Sequence, residues 1–277
     1  MFIYKQWEDF CKKLDDEGLN SIAAASALKE KNDKSFLILK HDVETNLLKS
    51  LRLAEIESMY SHRGSYYVQA YLLGDERNIS ILKKIQDLGH EVSYHHDVMD
   101  SNKGDLDKAK VEFQKNVALF EKYGFTVKTV CQHGNPVIER AGYTSNRDFF
   151  RDKEVQESFS SISEIMVNYK QRINNDFKYI SDVGYGWKVI YDPETNDVVD
   201  SSDKDIPIQD LNRVIEYIKK NKFVIISTHP HRWNRNMLSA KVKNTTFKLI
   251  KIIVKGLLRI PIMKKLMGKF YYLAKKI

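Results

Sequence analysis

Residues 36–46 read Phe-Leu-Ile-Leu-Lys-His-Asp-Val-Glu-Thr-Asn, an apolar, β-branched run that ends in His41-Asp42-Val43-Glu44. A run of that kind closing on charged residues predicts a buried strand whose carboxyl end carries the chemistry. The same grammar recurs along the chain. Strands are predicted over Phe36–His41, Ser65–Gln69, Glu91–His95, Val127–Gln132, Lys178–Asp182 and Phe223–Thr228. Helices are predicted over Leu47–Met59, Ile79–Leu88, Lys108–Tyr123 and Ile208–Lys220, where apolar residues recur at spacings of three and four. Gly64, Gly89 and Gly124 fall where a helix should end before the next strand. Strands alternating with helices imply an α/β fold around a mostly parallel sheet, and the regular repeat suggests a barrel. Residues 137–176, rich in charge, Tyr and Phe, read as a long excursion.

Polar segments follow the predicted strands one after another: His41-Asp42, then His95-His96-Asp97, then Gln132-His133-Gly134-Asn135-Pro136, with Asp182 and His229 closing later strands. The carboxyl ends of parallel strands open onto one face, so these groups should converge there. Six of the eight histidines lie in or beside these strand ends, together with Asp42, Glu44, Asp97 and Asp182. Mixed imidazole and carboxylate donors suit zinc or a similar divalent ion, and water on such an ion becomes acidic enough to hydrolyse esters and amides near neutral pH.

Three segments in order, FLILKHDVETN (36–46), GSYYVQAYLL (64–73) and ILKKIQDLGHEVSYHHD (81–97), resemble the polysaccharide deacetylase superfamily of the carbohydrate esterase family 4 type. The likeness is to the divergent branch whose first motif reads His-Asp-Val-Asp, and it runs from about Phe36 to Trp233. It implies a distorted (β/α) barrel and metal-assisted removal of acetyl groups from a sugar. It also implies that Asp42 is the catalytic base, that His95 is a metal ligand, and that His229, in Ile-Ser-Thr-His-Pro-His-Arg-Trp, is the general acid. Two positions depart from the pattern. Val43 stands where a second aspartate would bind metal, and Met99 where a second histidine would. The expected replacements are Asp97, placed by strand alternation on the His95 side while His96 points away, together with Glu44 and His133. Asp182 is expected to orient a catalytic group, Tyr185 and Trp187 to pack against a sugar ring, and Arg232 to meet an anionic group. The competing expectation is a catalytically degenerate barrel that binds a glycan or scaffolds a biosynthetic complex.

The formal net charge of +8 is unevenly spread. Residues 241–277 hold eleven Lys or Arg and no acid, which leaves 34 basic against 37 acidic side chains in residues 1–240. The expected division is a barrel domain over 1–240 and a basic amphipathic tail over 241–277, the tail suited to the surface of an anionic membrane. No basic stripe in the body suggests nucleic acid as a partner. Cys11 and Cys131 are in no paired spacing, and the sequence opens without a secretory pattern, so the expected setting is cytoplasmic, peripheral at the inner face of the membrane.

Overall fold

The computed structural model describes residues 2–29, 35–135, 138–174, 176–182, 186–190, 206–208, 210–242 and 245. Nine strands form one sheet: β1 (Phe36–Val43), β2 (Gly64–Val68), β3 (Glu91–His96), β4 (Thr129–Gln132), β5 (Ser163–Glu164), β6 (Lys178–Ser181), β7 (Trp187–Ile190), β8 (Ile206–Ile208) and β9 (Phe223–Thr228). Their order is β5-β4-β3-β2-β1-β9-β6-β7-β8. The pairs from β5 through β9 to β6 are parallel, and the pairs β6–β7 and β7–β8 are antiparallel.

All six expected strands are present at or near their predicted bounds, and the parallel α/β reading holds for them. Closure into a barrel is not seen among the described residues, where no pairing joins β5 to β8. The added strands explain the difference. β5 has only two residues, and β7 and β8 turn antiparallel at the other edge, so neither edge repeats the strand-helix unit on which the barrel expectation rested.

The helices begin where aspartates cap them. Asp75, Asp105 and Asp210 each accept a backbone N–H of the first turn, so the helices run Glu76–Asp87, Leu106–Lys122 and Leu211–Lys219. The last corrects the predicted start at Ile208, which belongs to β8. Gly64 does not end a helix, as expected, but opens β2. A Cβ there would sit 2.9 Å from Glu57 Oε2 and 3.0 Å from the Leu39 carbonyl, so glycine is required by close packing. Gly89 and Gly124 do follow helices, at φ of 89° and 75°.

Strand alternation sorts the core. Leu37, Leu39, Val43, Tyr66, Val68, Val92 and Val130 meet the long helices Tyr4–Asp16, Leu47–Met59, Glu76–Asp87, Leu106–Lys122 and Leu211–Lys219 in two adjoining apolar clusters. Ile38, Tyr67, Cys131, Tyr179 and Ile225 face the other way and are covered by short segments around Ala24–Ala27 and Tyr169–Ile173. The excursion over 137–176 supplies part of this cover, with Tyr169 donating its hydroxyl to the Ala24 carbonyl at 2.8 Å. No helix of the described residues is long and apolar enough to cross a membrane. The basic tail expected over 241–277 lies almost wholly outside the described residues, as does Tyr185.

Candidate metal centre and active site

Lys40 and Asp42 are two residues apart on β1 and share the face that carries Tyr67, His95 and Cys131. Lys40 is 1% exposed, and its Nζ lies 2.6 and 2.7 Å from the two Asp42 oxygens and 3.1 Å from Ser227 Oγ. Burial works to raise the Asp42 carboxyl, but the Lys40 ammonium and the His95 and His229 rings outweigh it and bring it down to about 2.

Beyond Asp42 the cluster widens. Glu44, His95 and His133 place one donor atom each within 4.8 Å of one another. His133 Nε2 lies 3.2 Å from Glu44 Oε1, and the His95 and His133 rings meet edge-on at 5.2 Å. His95 Nδ1 lies 3.0 Å from the Cys131 carbonyl, which assigns the ring proton to Nδ1 and leaves the Nε2 lone pair open. His133 Nδ1 is buried with no hydrogen-bond partner. Two imidazoles and a carboxylate, one imidazole oriented by a backbone carbonyl and the other carrying a buried unpaired nitrogen, fit a zinc-type site with an open position. A second group, Asp42, His95 and Cys131, is equally close. Burial raises the Cys131 thiol well above its usual value, and the Glu44 set, whose two imidazoles and one carboxylate match the donors of a hydrolytic zinc site, is preferred.

Across from this group stands an aspartate-histidine pair. His229 Nδ1 lies 2.7 Å from Asp182 Oδ1, while its Nε2 lies 3.8 Å from Asp42 Oδ2 and 3.9 Å from Glu44 Oε1. Asp182 is fully buried and also accepts from the His229 backbone N–H at 2.9 Å and Thr228 Oγ1 at 2.7 Å. Burial opposes its ionisation, but Arg232 and His229 hold its carboxyl far below the usual range. Arg232, expected to meet an anionic substrate group, instead donates Nη1 to the Asp182 carbonyl at 2.6 Å and to Oδ1 at 2.8 Å.

Asp97 is not brought to the donor group, contrary to the alternation argument. β3 ends at His96, and Asp97 at φ −133°, ψ 31° begins the turn into the helix Val98–Ser101, so the two-residue period no longer applies. Asp97 lines a neighbouring cavity instead. His96 does point away from His95, into a cage of Tyr94, Phe113, Phe149 and Phe150. His41 faces the helix layer, where its Nε2 lies 2.8 Å from Glu57 Oε1. Val43 and Met99 are buried in the apolar core beneath the site. Trp187 is not a substrate platform: it is 7% exposed and packs with Phe2, Trp7 and Trp233, because β7 lies over the N-terminal helix.

Two contributors escaped the sequence reading. Lys40 could have been found, since a lysine two residues before Asp42 in a buried strand must face the same way and must be paired. The support of His133 could not. Asn146 donates to the His133 carbonyl at 2.8 Å and to Asp100 Oδ2 at 2.8 Å, and Arg140 grips Asp100 at 2.8 and 2.9 Å. These residues converge from separate loops of the 137–176 excursion and from the turn after β3.

No family model and no curated protein matches the chain. Among solved structures it is similar to a mutant of a CE4 family pseudoenzyme with restored enzymatic activity, at TM-score 0.45 and 14% identity over 79% of this chain. The chain spans 64% of that protein's length. It is similar to a Streptococcus mutans CE4 esterase at TM-score 0.45 and 12% identity, over 85% of this chain and 89% of that one. It is also similar to a mutant of the peptidoglycan deacetylase PdaC from Bacillus subtilis at TM-score 0.37 and 10% identity, over 82% of this chain and 99% of that one.

Proposed function

We propose that the chain is a metal-dependent hydrolase that removes an acetyl group from a sugar or polysaccharide intermediate. The observation that carries this reading is the meeting of Glu44, His95 and His133 within 4.8 Å, beside Asp42 and facing the Asp182–His229 pair. The resemblance of residues 36–97 to polysaccharide deacetylases names the reaction class; the geometry supplies the parts.

Glu44, His95 and His133 would hold the ion. When bound, a divalent ion such as zinc supplies Lewis acidity toward an acyl carbonyl and lowers the pKa of water. Asp42, kept ionised and fixed by Lys40, accepts a proton from the attacking water as its oxygen bonds to the acyl carbon. His229 then gives the Nε2 proton to the departing amine or alcohol as the C–N or C–O bond breaks. Asp182 holds Nδ1–H and stabilises the charged ring, and Arg232 keeps Asp182 ionised.

The test is zinc content and acetate release from acetylated amino-sugar oligomers, with and without chelator. Expected are about one zinc per chain, loss of turnover on chelation, and loss of at least about a hundredfold in kcat for Asp42→Asn and for His229→Ala. Folded protein that takes up no zinc and is indifferent to chelator overturns the reading. A non-catalytic glycan binder is the second reading, favoured by the burial of Val43 and Met99 in the core. It predicts no turnover in the parent chain and a glycan affinity that Asp42→Asn leaves unchanged.

A further inference from the structure

The Asp182 carboxylate receives four hydrogen bonds, and all four come from the stretch Thr228 to Arg232. Oδ1 accepts from His229 Nδ1 at 2.7 Å and from Arg232 Nη1 at 2.8 Å. Oδ2 accepts from the His229 backbone N–H at 2.9 Å and from Thr228 Oγ1 at 2.7 Å. The Thr228 bond needs a cause of its own, because a hydroxyl rotates and accepts as readily as it donates. Trp233 supplies that cause. Its indole Nε1 lies 2.9 Å from Thr228 Oγ1 and is a donor only, so the single hydroxyl proton of Thr228 is left for Asp182. The chain of donors therefore runs one way, from indole to hydroxyl to carboxylate. It ends on the carboxylate whose other oxygen holds the His229 ring, and the ring's Nε2 lies 3.8 Å from Asp42 Oδ2.

Trp233 is itself held by residues far from the site. It is fully buried, and its ring meets Phe2 at 5.2 Å and Trp7 at 5.0 Å, both edge-on. The next residue, Asn234, donates its N–H to the Phe2 carbonyl at 3.0 Å and accepts the Tyr4 N–H at 3.1 Å, so the start of the chain fastens the indole in place. Alternation along β9 divides the work: Ser227 lies 3.1 Å from Lys40 Nζ, on the side of Asp42, while Thr228 serves Asp182. We propose that Thr228 and Trp233 are positioning residues for the general acid, the indole N–H setting the direction of the Thr228 hydroxyl and the hydroxyl fixing the Asp182 carboxylate that orients His229. The inference rests on the proposed hydrolase reading and extends the acid side of that site into the core.

The test sets Thr228→Val, Thr228→Ser, Trp233→Phe and the double variant of Thr228→Val with Trp233→Phe beside the parent. Each is the full zinc-loaded chain releasing acetate from acetylated amino-sugar oligomers. Thr228→Val is expected to lower kcat about tenfold with KM within about twofold, and Thr228→Ser, which keeps the hydroxyl, to stay within about threefold of the parent. Trp233→Phe costs less than Thr228→Val, and the double variant falls no further than Thr228→Val, because the indole acts only through the hydroxyl. A second readout needs no turnover. It is the solvent exchange of His229 Nδ1–H, followed by NMR in the same chains carrying isotopically labelled histidine and assigned by its loss in His229→Ala. Exchange should quicken at least about tenfold in Thr228→Val and stay near the parent rate in Thr228→Ser. If the parent releases no acetate, the hydrolase reading fails and exchange alone decides the positioning role. Parent-like kcat or parent-like exchange in Thr228→Val overturns the proposal. So does a double variant whose loss in kcat is the product of the two single losses, or a parent proton that exchanges too fast to observe. Should Thr228→Val fail to fold, Trp233→Phe takes its place, and parent values of kcat or exchange there overturn the proposal.

Discussion

Lys40 is the residue whose removal separates chemistry from scaffolding. Its ammonium is buried against both Asp42 oxygens, and a buried pair broken on one side leaves a charge with neither water nor counter-ion. Lys40→Met is therefore expected to cost about 3–5 kcal/mol of unfolding free energy and to lower kcat by about tenfold or more. The double change Lys40→Met with Asp42→Leu should recover much of the stability while leaving the chain inactive, since it removes both charges together. Urea unfolding of the two variants checks this, and a single change that costs under about 1 kcal/mol would show the pair to be hydrated. Asp42 and His229 were singled out because each lies where an apolar run ends and falls on a motif of the family that the sequence resembles. The side chains that the fold brings beside His95 were legible only in part. Glu44 and His133 were, but Asp97 was misplaced, because an alternation argument holds only while the backbone is extended and Asp97 is the first residue past that point.

Among the elements, the short strand β5 and the turn after β3 do more than the sequence suggests. Glu164 is buried on β5 and accepts the Gln132 N–H at 2.9 Å and the Met166 N–H at 2.7 Å, tying the edge of the sheet to β4. Burial raises its carboxyl to about 7, against the nearby Arg147 and these hydrogen bonds. The folded form thus holds a proton that the unfolded chain releases near ~4.3. This contribution is full below that value and is lost as pH rises through about 7. Relative to Glu164→Gln, the parent chain should lose about 3 kcal/mol between pH 5 and pH 8, measured by urea unfolding at both. A constant difference would mean that Glu164 is ionised throughout. The loop that presents His133 depends on the Asp100 network in the same indirect way. Asp100→Asn loosens the Arg140 grip without touching a donor, and is expected to weaken zinc binding by about tenfold or more, as read by competition with a chromogenic chelator. None of this was visible from residues 137–176 alone, whose short helices and two-residue strand carry too little periodicity to declare themselves.

For the molecule as a whole, the layering explains both what the sequence disclosed and what it hid. The parallel centre of the sheet, β4-β3-β2-β1-β9-β6, was readable because its strands are apolar on both faces and each long helix repeats at helical spacing. The antiparallel edge was not, since β7 and β8 are four and three residues long and their pairing is set by contacts distant in sequence. The proposed ion would sit at the open end of that readable centre, taking Glu44 from just past β1, His95 from β3 and His133 from just past β4. Those donors are separated by 51 and 38 residues along the chain, so an ion that holds all three binds the folded form and has no preformed counterpart in the unfolded one. Stability should therefore rise with zinc by mass action, about 2.7 kcal/mol at a free concentration of a hundred times Kd, which for a chain of this size is a Tm increase of roughly 5–10 °C. Differential scanning fluorimetry across a zinc titration reads the effect directly. The rise should vanish with excess chelator and in His133→Ala, and should persist in Asp42→Asn, which removes a base and no ligand. A shift that survives in His133→Ala but disappears in Asp42→Asn would move the ion to the alternative donor group of Asp42, His95 and Cys131.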